Sequence, residues 1–469
     1  MTMSSECGVT DALLMAGTVL ATLHSPPNGL PDVGLPPPTS GGVKVDFRGR
    51  CRSGQRHPCP GDAAQSFLTG RTGQPAGHPA GRHQSELGYE IKLFCHVPSV
   101  VRGCYTKACM ALRRTAARPT RCHRVQTSQR YVSSRLTSLR AVTDNRHGWR
   151  YGITVPFGDP LHAQADLYRE FADLGYTEFW SSEADGTDGF TPLVLASQWV
   201  PEVRLGIAII PVFTRGPALL AQQTASICEA APGRFAMGIG ASSNVIVERW
   251  NGIPFDEPFK RTRDTARFLR QALTGERISE TYDTFEVQGF RLGRPPEVQP
   301  PILLAALRPG MLRLAGSEAD GAIINWLSAD DVATVRPYVD EGGEGKEVVA
   351  RIFVCPNPDA DTVRTGFKRA MAAYLNVPVY AEFHRWLGRG ELLAAMWDRW
   401  SEGDRRGALE VIDDDLVDEL LVHGPPEACR EHIDRYHANG VDVSAISIMP
   451  FGGIDPVQAA RDLSPAARS

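Results

Sequence analysis

Small and polar residues follow five apolar runs in the second part of the chain. These stretches read SSEADGTDG from Ser181, PVFTRGP from Pro211, GIGASSN from Gly238, ALRPG from Ala306 and NWL from Asn325. They supply a carboxylate, guanidinium groups and hydroxyls, which can transfer a proton, hold an anionic group and donate hydrogen bonds. The small side chains between them would leave room for a large, flat cofactor.

The elements that would position these stretches alternate between β-rich runs and helical spacing from Trp149 onward. The eight predicted strands are WRYGITVPF, TEFWSSEA, RLGIAIIPVF, RFAMGIGAS, PILLAAL, DGAIINWL, VVARIFVCP and VDVSAISIMPF. Each but the last is followed by helical material, as in His162–Tyr176, which Gly175 would end. Eight such units predict an α/β fold, a closed TIM (β/α)8 barrel whose strand C-termini carry the chemistry. An open doubly wound sheet is the alternative.

Two inserts interrupt the alternation. Thr281–Leu292 is hairpin-like, with Gly289 near the predicted bend. A helical insert extends from about Asp361 to Leu421 and contains YAEFHRWLGRGELLAAMWDRW. This aromatic segment is interpreted as a lid over the pocket or as the face of a homodimer, with plain core packing as the simpler alternative.

The first 148 residues differ in composition from the rest of the chain. They hold 19 Lys and Arg against 8 Asp and Glu, whereas residues 149–469 hold 31 against 46. They also hold seven of the ten cysteines and many Pro and Gly residues, without a sustained helical or strand period. This pattern predicts a largely disordered basic extension, or translation from too early a start. The domain boundaries are therefore 1–148 for the extension, 149–455 for the barrel and 456–469 for a C-terminal tail.

Several function classes are disfavoured by the sequence. No apolar run is long enough for a membrane span, and Ala12–Leu23 lacks the basic flank of a signal peptide, so a cytoplasmic protein is expected. The cysteines show no paired C-x2-C spacing, and His432 and His437 are five residues apart, so we expect no metal site. We also expect no nucleic-acid binding, because the basic extension has no aromatic-interleaved stripe.

A family resemblance is carried by GRFAMGIGASSNVIVERWNG, ADGAIIN and HGPPEACREHIDRYHANGVD. Over roughly Arg150–Phe451 the chain resembles the luciferase-like monooxygenase superfamily, and within it the branch of coenzyme F420-dependent oxidoreductases. The resemblance implies a bacterial-luciferase-like TIM barrel that holds a deazaflavin or a flavin at its C-terminal face. Hydride or oxygen chemistry would take place at the ring.

The resemblance assigns roles near the ring. Glu183-Ala184 stands where deazaflavin enzymes have an Asp-His pair, so Glu183 is the candidate for ring contact or proton transfer, with a salt-bridged or capping Glu as the alternative. Burial against a flat apolar cofactor would raise the pKa of such a carboxyl. A bulge with a non-prolyl cis peptide is implied at Ala208–Ile209, behind the ring. Ser243 occupies the place of a family acid and is the second catalytic candidate.

Other contacts are carried over in the same way. The cofactor-binding set adds residues after the fourth, fifth and sixth strands: Gly240, Ala241, Ser242, Ala306, Leu307, Arg308 and Asn325. The segment Ala306–Arg308 would meet phosphate at a helix start, although Arg308 could equally be a solvated rim residue. Thr214, Arg215 and Trp326 are assigned to the substrate pocket, where Arg215 could meet an acidic group; Trp326 could instead be rim packing.

The resulting prediction is a hydride-transferring oxidoreductase that uses coenzyme F420 and an unknown small organic substrate. An FMN-dependent monooxygenase that uses O2 is the alternative. A non-catalytic barrel that acts by association is the third class.

Overall fold

The computed structural model describes residues 148–468. The disorder predicted for residues 1–148 therefore lies, except for Gly148, outside the described residues. Within the described part the twelve strands are β1 (Arg150–Thr154), β2 (Glu178–Ser181), β3 (Arg204–Ile207), β4 (Ile210–Pro211), β5 (Phe235–Gly240), β6 (Arg277–Thr281), β7 (Glu286–Arg291), β8 (Ile302–Ala305), β9 (Gly321–Asn325), β10 (Glu347–Cys355), β11 (Val422–His423) and β12 (Val443–Ile448).

The α-helices of the same residues alternate with these strands. They are α1 (Ala165–Asp173), α2 (Thr191–Trp199), α3 (Pro217–Ala230), α4 (Pro258–Ala272), α5 (Pro309–Glu318), α6 (Val332–Asp340), α7 (Ala360–Leu375), α8 (Pro378–Trp386), α9 (Gly390–Ser401), α10 (Arg405–Glu410), α11 (Asp414–Leu420), α12 (Pro426–Ala438) and α13 (Pro456–Asp462). Proline occupies the first turn of seven of them, where its missing N–H costs no hydrogen bond. None of these helices is both long and apolar enough to cross a bilayer.

Eight parallel strands form a closed ring in the order β12, β1, β2, β3, β5, β8, β9, β10. The ring closes because β10 pairs with both β9 and β12. The predicted TIM barrel and all eight of its strands are confirmed. The segment delimited as a tail contains α13, and the Tyr176 hydroxyl donates to the Ala460 carbonyl in that helix at 2.8 Å.

The barrel interior is filled around one large ring. Trp180 is buried, and Gly152 and Gly206 on the two neighbouring strands make space for it. A Cβ at Gly206 would lie 2.3 Å from the Trp180 ring, and a Cβ at Gly152 would lie 2.8 Å from it. The remaining interior is small or aliphatic and includes Ala236, Leu303, Ile323, Val349, Val443 and Ala445.

The N-terminal end of the barrel is occupied by an ionic cluster of Arg150, Glu178, Arg204 and Glu347, here called the end cluster. Arg204 bonds Glu347 at 2.6 and 2.9 Å and Glu178 at 3.1 and 3.2 Å. Arg150 bonds both carboxylates, at 2.9 and 3.0 Å. The Trp180 indole also donates to Glu178 at 3.0 Å, which ties the cluster to the interior.

The two carboxyls of the end cluster respond to burial in opposite ways. Burial raises the pKa of Glu178 in spite of the Arg204 and Arg150 charges. For Glu347 burial also acts to raise the pKa, but the hydrogen bonds and charge of Arg204 outweigh it and hold the pKa below its ordinary value. Two carboxylates that share two guanidinium groups titrate as a coupled pair, so the fold keeps at least one of them ionised.

The two inserts are present, with one corrected boundary. The hairpin consists of β6 and β7, so it begins at Arg277 and bends between Thr281 and Glu286. The sequence predicts Gly289 near the bend, and this prediction is wrong. Gly289 lies within β7 at φ +68°, and its N–H donates to Ser279 Oγ at 2.9 Å. The register shifts beside Ser279, so this glycine serves a β-bulge.

The helical insert, α7 to α11, lies between β10 and β11 as predicted. Its buried face forms a second core that includes Phe367, Met371, Leu393 and Leu416. Trp326 at the end of β9 belongs to the same core. The insert is therefore packed onto the C-terminal ends of the barrel strands.

Candidate active site

The C-terminal ends of the barrel strands form an open mouth whose floor follows from strand alternation. Side chains two positions beyond an interior residue point to the same side of a strand. The interior residues nearest the mouth on four strands are Leu303, Ile323, Val349 and Ala445. The residues two positions later form the floor of the mouth: Ala305, Asn325, Arg351 and Ser447. On the other side the floor is backbone, because a Cβ at Gly240 would lie 2.7 Å from the Ala305 methyl and 3.1 Å from Ile209.

Glu183 and Arg215 form an ion pair at the rim of the mouth. Glu183 follows β2 and Arg215 follows β4, and their side chains are only 14% and 13% exposed. The guanidinium makes two contacts with the carboxylate, one of them at 2.6 Å. Glu183 also accepts from the Gly189 N–H at 3.1 Å and from the Thr214 hydroxyl at 3.5 Å. The salt-bridged alternative therefore describes Glu183, and Arg215 has its charge neutralised within the chain.

This pair borders a cavity of about 430 Å³ formed by the loops after β2, β4 and β5. Its lining residues are Glu183, Ala184, Asp185, Gly186, Thr187, Asp188, Thr214, Arg215 and Asn251. Asp188 accepts the N–H groups of Phe190 and Thr191 at 2.9 Å and so begins α2. Burial acts to raise the pKa of Asp188, but the hydrogen bonds from Thr191 and Phe190 hold it below its ordinary value.

The bulge between β3 and β4 has the geometry that the resemblance implied. The Ala208–Ile209 peptide bond is cis. The Ala208 N–H donates to the Ser181 carbonyl at 2.7 Å, and the Ile209 carbonyl accepts from the Glu183 N–H at 3.4 Å. Both side chains are half-buried and pack against the barrel interior, so the bulge forms a wall of the mouth next to the end of β2.

The turn after β5 brings backbone and hydroxyls to the mouth. Ser242 has φ +66°, a conformation uncommon outside glycine, and it turns the chain away from the strand. Ala241, Ser242 and Ser243 are half-buried. The Ser243 hydroxyl accepts from the Ile246 N–H at 3.4 Å, at the start of the π-helical turn Val245–Trp250. This second catalytic candidate thus has a capping contact.

The proposed phosphate side lies at the start of α5. The Ala306 N–H is already engaged with the Ile323 carbonyl at 3.0 Å, so it is not available to a ligand. Leu307 is half-buried and Arg308 is exposed. Arg308 forms no ion pair within residues 148–468, and it immediately precedes Pro309, the first residue of the helix.

Asn325 and Trp326 have different surroundings at the end of β9. Asn325 lies on the floor, and its amide donates to the Tyr380 hydroxyl at 3.4 Å. Trp326 has φ +55°, is 2% exposed and stacks on Tyr374 and Phe367 at centroid distances of 4.6 and 5.5 Å. Its ring therefore supports the wall from behind and does not line an open surface.

The family is decided by comparison with known proteins. Residues 140–443 match the family described as Luciferase-like monooxygenase. The chain belongs to the luciferase-like monooxygenase family.

Two relatives of this luciferase-like protein are similar along nearly their whole length. A Mycobacterium tuberculosis protein, provisionally named as a coenzyme F420-dependent oxidoreductase, is 25% identical over 330 residues, which cover 64% of this chain and 95% of that protein. A 5,10-methylenetetrahydromethanopterin reductase of Archaeoglobus fulgidus is 26% identical over 321 residues, which cover 65% and 94%. Relatives of these kinds support an oxidoreductase.

A solved structure agrees on the fold of the luciferase-like protein. The coenzyme F420-dependent tetrahydromethanopterin reductase of Methanopyrus kandleri superposes with a TM-score of 0.54 at 20% identity, covering 68% of this chain and 98% of that one. At this identity the likeness shows the TIM-barrel fold alone.

Three residues of the mouth in this luciferase-like protein were not anticipated from the sequence. Arg351, Ser447 and Tyr380 lie around Asn325, and Arg351 donates to the Ser447 hydroxyl at 3.3 Å. A signal for Arg351 is present, since it is a lone cation within the apolar run VVARIFVC. Alternation along this strand would have placed it on the inward side, two positions after Val349. Tyr380 carries no such signal, because it comes from the helical insert.

Proposed function

We propose that this protein is an oxidoreductase that uses coenzyme F420 to transfer a hydride to or from a small organic substrate. The observation that carries the proposal is the similarity to a coenzyme F420-dependent relative over 95% of that relative's length. The fold and its open, small-residue mouth are consistent with it, since sites of TIM-barrel enzymes lie at this end.

The residues present fit a flat ring with a phosphate-bearing tail. The floor at Gly240 has no side chain, and a Cβ there would collide with Ala305 and Ile209. Ala208, Ala241 and Ser242 are small and half-buried around it. Arg308 is exposed, has no ion pair within the described residues and precedes a helix N-terminus, where a phosphate is favoured.

When bound, the deazaflavin supplies a carbon that accepts or donates a hydride. The chain would hold the ring against the Ala208–Ile209 bulge and the Gly240–Ser242 turn, and the tail near Arg308. The Ser242 hydroxyl and the Tyr380 hydroxyl can donate hydrogen bonds to a substrate oxygen in the mouth. Burial, reinforced by neighbouring Tyr374, raises the pKa of Tyr380 to about 12, so this hydroxyl stays protonated at neutral pH.

The Glu183 carboxylate has a less direct part in this proposal than the resemblance implied. Its oxygens already accept from Arg215, Gly189 and Thr214. We therefore assign Glu183 to holding the rim in place.

The second candidate function is an FMN-dependent monooxygenase, which the description of the matched family favours. The two differ in the use of oxygen, because a deazaflavin lacks the ring nitrogen that favours oxygen adducts. Consumption of O2 in the presence of reduced FMN would therefore support the alternative.

The test is a fluorescence titration of the full-length protein with coenzyme F420 and, separately, with FMN. We expect micromolar binding of coenzyme F420, about 8 kcal/mol, and weaker binding of FMN. Arg308→Met should weaken coenzyme F420 binding about tenfold through the lost charge-assisted contact, while Arg435→Met, in a solvent-exposed pair with Asp330, serves as the matched control. Preference for FMN, or binding of neither by folded protein, would overturn the proposal.

A further inference from the structure

Arg351 is a cation at the mouth that forms no ion pair within the part of the chain that the structure describes. It lies near the middle of β10, in register with Asn325 of β9 and Ala445 of β12. The side chain is half-buried, and its Nε is fully enclosed without a hydrogen-bond acceptor. Nη2 donates to the Ser447 hydroxyl at 3.3 Å, and Nη1 has no bond within residues 148–468. The guanidinium lies 5.3 Å from the centre of the Phe353 ring.

Most other enclosed arginines of the described chain have an acid or a backbone carbonyl as acceptor; Arg234 bonds the carbonyls of Val203 and Ser197, and Arg261 bonds that of Thr284. Arg204 bonds Glu178 and Glu347, Arg215 bonds Glu183, and Arg389 bonds Asp331 at 2.9 Å. Removing a guanidinium from water without an anion is unfavourable. Arg351 differs from these arginines in having neither an acid nor a carbonyl acceptor among residues 148–468, so its partner is expected in a ligand.

The groups around Arg351 also suit an anion. The Asn325 amide and the hydroxyls of Ser447 and Tyr380 can all donate hydrogen bonds. Asp185, on the loop after β2, is exposed and makes no ion pair with Arg351. Among the described residues, the floor around Asn325 is thus a cluster of donors with a positive charge and no acid in contact.

We propose that Arg351, with Ser447, Tyr380 and Asn325, forms a subsite for a carboxylate on the substrate. The proposal deepens the proposed function and rests on it for the reaction, but the anion site stands on the residues themselves. The cofactor phosphate has a separate cation in Arg308, two strands away at the start of α5. The end of the guanidinium, where Nη1 is unbonded and Nη2 bonds only Ser447, matches the planar, two-oxygen geometry of a carboxylate.

The experiment compares benzoate with benzamide, which has the same shape and no charge. Binding of each to the full-length protein is measured by calorimetry, with and without saturating coenzyme F420. We expect benzoate to bind about tenfold more tightly than benzamide, as a charge-assisted hydrogen bond would give. Arg351→Met should abolish this preference, and Arg351→Lys should keep part of it. Arg435→Met, in an exposed pair, should leave it unchanged.

The outcomes separate a substrate site from a cofactor site and from a failure of the proposed function. If Arg351→Met leaves coenzyme F420 affinity within about twofold and benzoate still binds beside the coenzyme, the subsite belongs to the substrate. If coenzyme F420 displaces benzoate and Arg351→Met weakens the coenzyme, the anion is the cofactor's and the proposal is overturned. Equal binding of benzoate and benzamide to the wild-type protein also overturns it. If the protein binds benzoate more tightly than benzamide but does not bind coenzyme F420, the proposed function is refuted and the anion site remains supported.

Discussion

The two ends of the barrel treat charged side chains in opposite ways. At the N-terminal end, the end cluster pairs two carboxylates with two guanidinium groups and an indole N–H, all contributed by the strands themselves. At the mouth, Arg351 stands in the same inward register with a hydroxyl contact and no acid. Glu347 of the end cluster and Arg351 both lie on β10, four residues apart. The difference in pairing therefore depends on the end of the barrel and not on the strand.

This contrast separates charges that serve folding from charges that are available to a ligand. A charge whose partner is in the chain contributes to stability, and its removal leaves the partner buried without compensation. A charge without a partner contributes little to stability and is costly to keep, so its presence points to binding. The following substitutions test the contrast from the largest expected effect to the smallest.

Replacing Arg204 with Met should have the largest effect on stability. The substitution leaves the buried carboxylates of Glu178 and Glu347 with Arg150 alone, which is 36% exposed. We expect the free energy of unfolding to fall by about 3–5 kcal/mol, measured by urea denaturation at pH 7. Adding Glu347→Gln should restore part of this loss. A loss below about 1 kcal/mol would mean that the cluster behaves like a surface pair.

The N-terminal end should also be sensitive to acid through His437. This residue lies in the last turn of α12, stacks on Trp149 and donates its Nδ1–H to the Val441 carbonyl at 2.9 Å. Burial lowers the pKa of His437 to about 4, so between pH 6.5 and pH 4 the unfolded chain binds the proton and the folded chain does not. Stability present above pH 6.5 is therefore lost as the pH falls, by about 2 kcal/mol at pH 5 from this residue.

The measurement is the unfolding free energy from pH 7 to pH 4.5 for the wild type and for His437→Gln. The variant should show a flatter profile, by about one proton across that interval. His162→Gln removes an exposed imidazole and should leave the slope unchanged. Equal slopes for the wild type and His437→Gln would show that the ring is charged in the folded state.

Replacing Arg351 with Met should have the smallest effect on stability. Both Arg204→Met and Arg351→Met remove a guanidinium group. At the mouth, Arg351→Met removes only the hydrogen bond to Ser447 and no ion pair within the described residues. We expect the unfolding free energy to change by less than about 1 kcal/mol, with urea denaturation as the check. A loss as large as that of Arg204→Met would mean that Arg351 serves the fold, and the contrast between the two ends would fail.

The sequence predicts the barrel well because its signals are local. A short stretch of sequence is enough to identify a continuous apolar run such as FAMGIG, which is entirely buried in β5. The same holds for a helix that begins at a proline, such as Pro217. The sequence pattern predicts the hairpin bend in the wrong place, because a glycine such as Gly289 is typical of a turn. In the structure the positive φ of Gly289 serves a bulge opposite Ser279. A glycine shows that an unusual φ is allowed there and does not show which irregularity uses it.

The site is less legible because it depends on contacts between distant segments. The cis bulge at Ala208–Ile209 follows from the family resemblance and not from a local pattern in the sequence. The pairing of Glu183 with Arg215 joins loops 32 residues apart, and a charged residue alone does not reveal whether a partner will neutralise it. Tyr380 reaches Asn325 from 55 residues away, through an insert whose orientation no local pattern fixes.

The aromatic cluster under the insert ties one wall of the mouth to the integrity of the fold. Trp326 connects β9 to the insert by contacting Tyr374, Phe367 and Tyr380, and Tyr380 in turn bonds to Asn325 on the floor of the mouth. One side of the mouth is thus built from the insert's own core. Grafting a different insert between β10 and β11 would change the shape of the mouth and the foldability of the chain in a single step, so the mouth is reshaped more readily by redesigning the loops after β2 and β4.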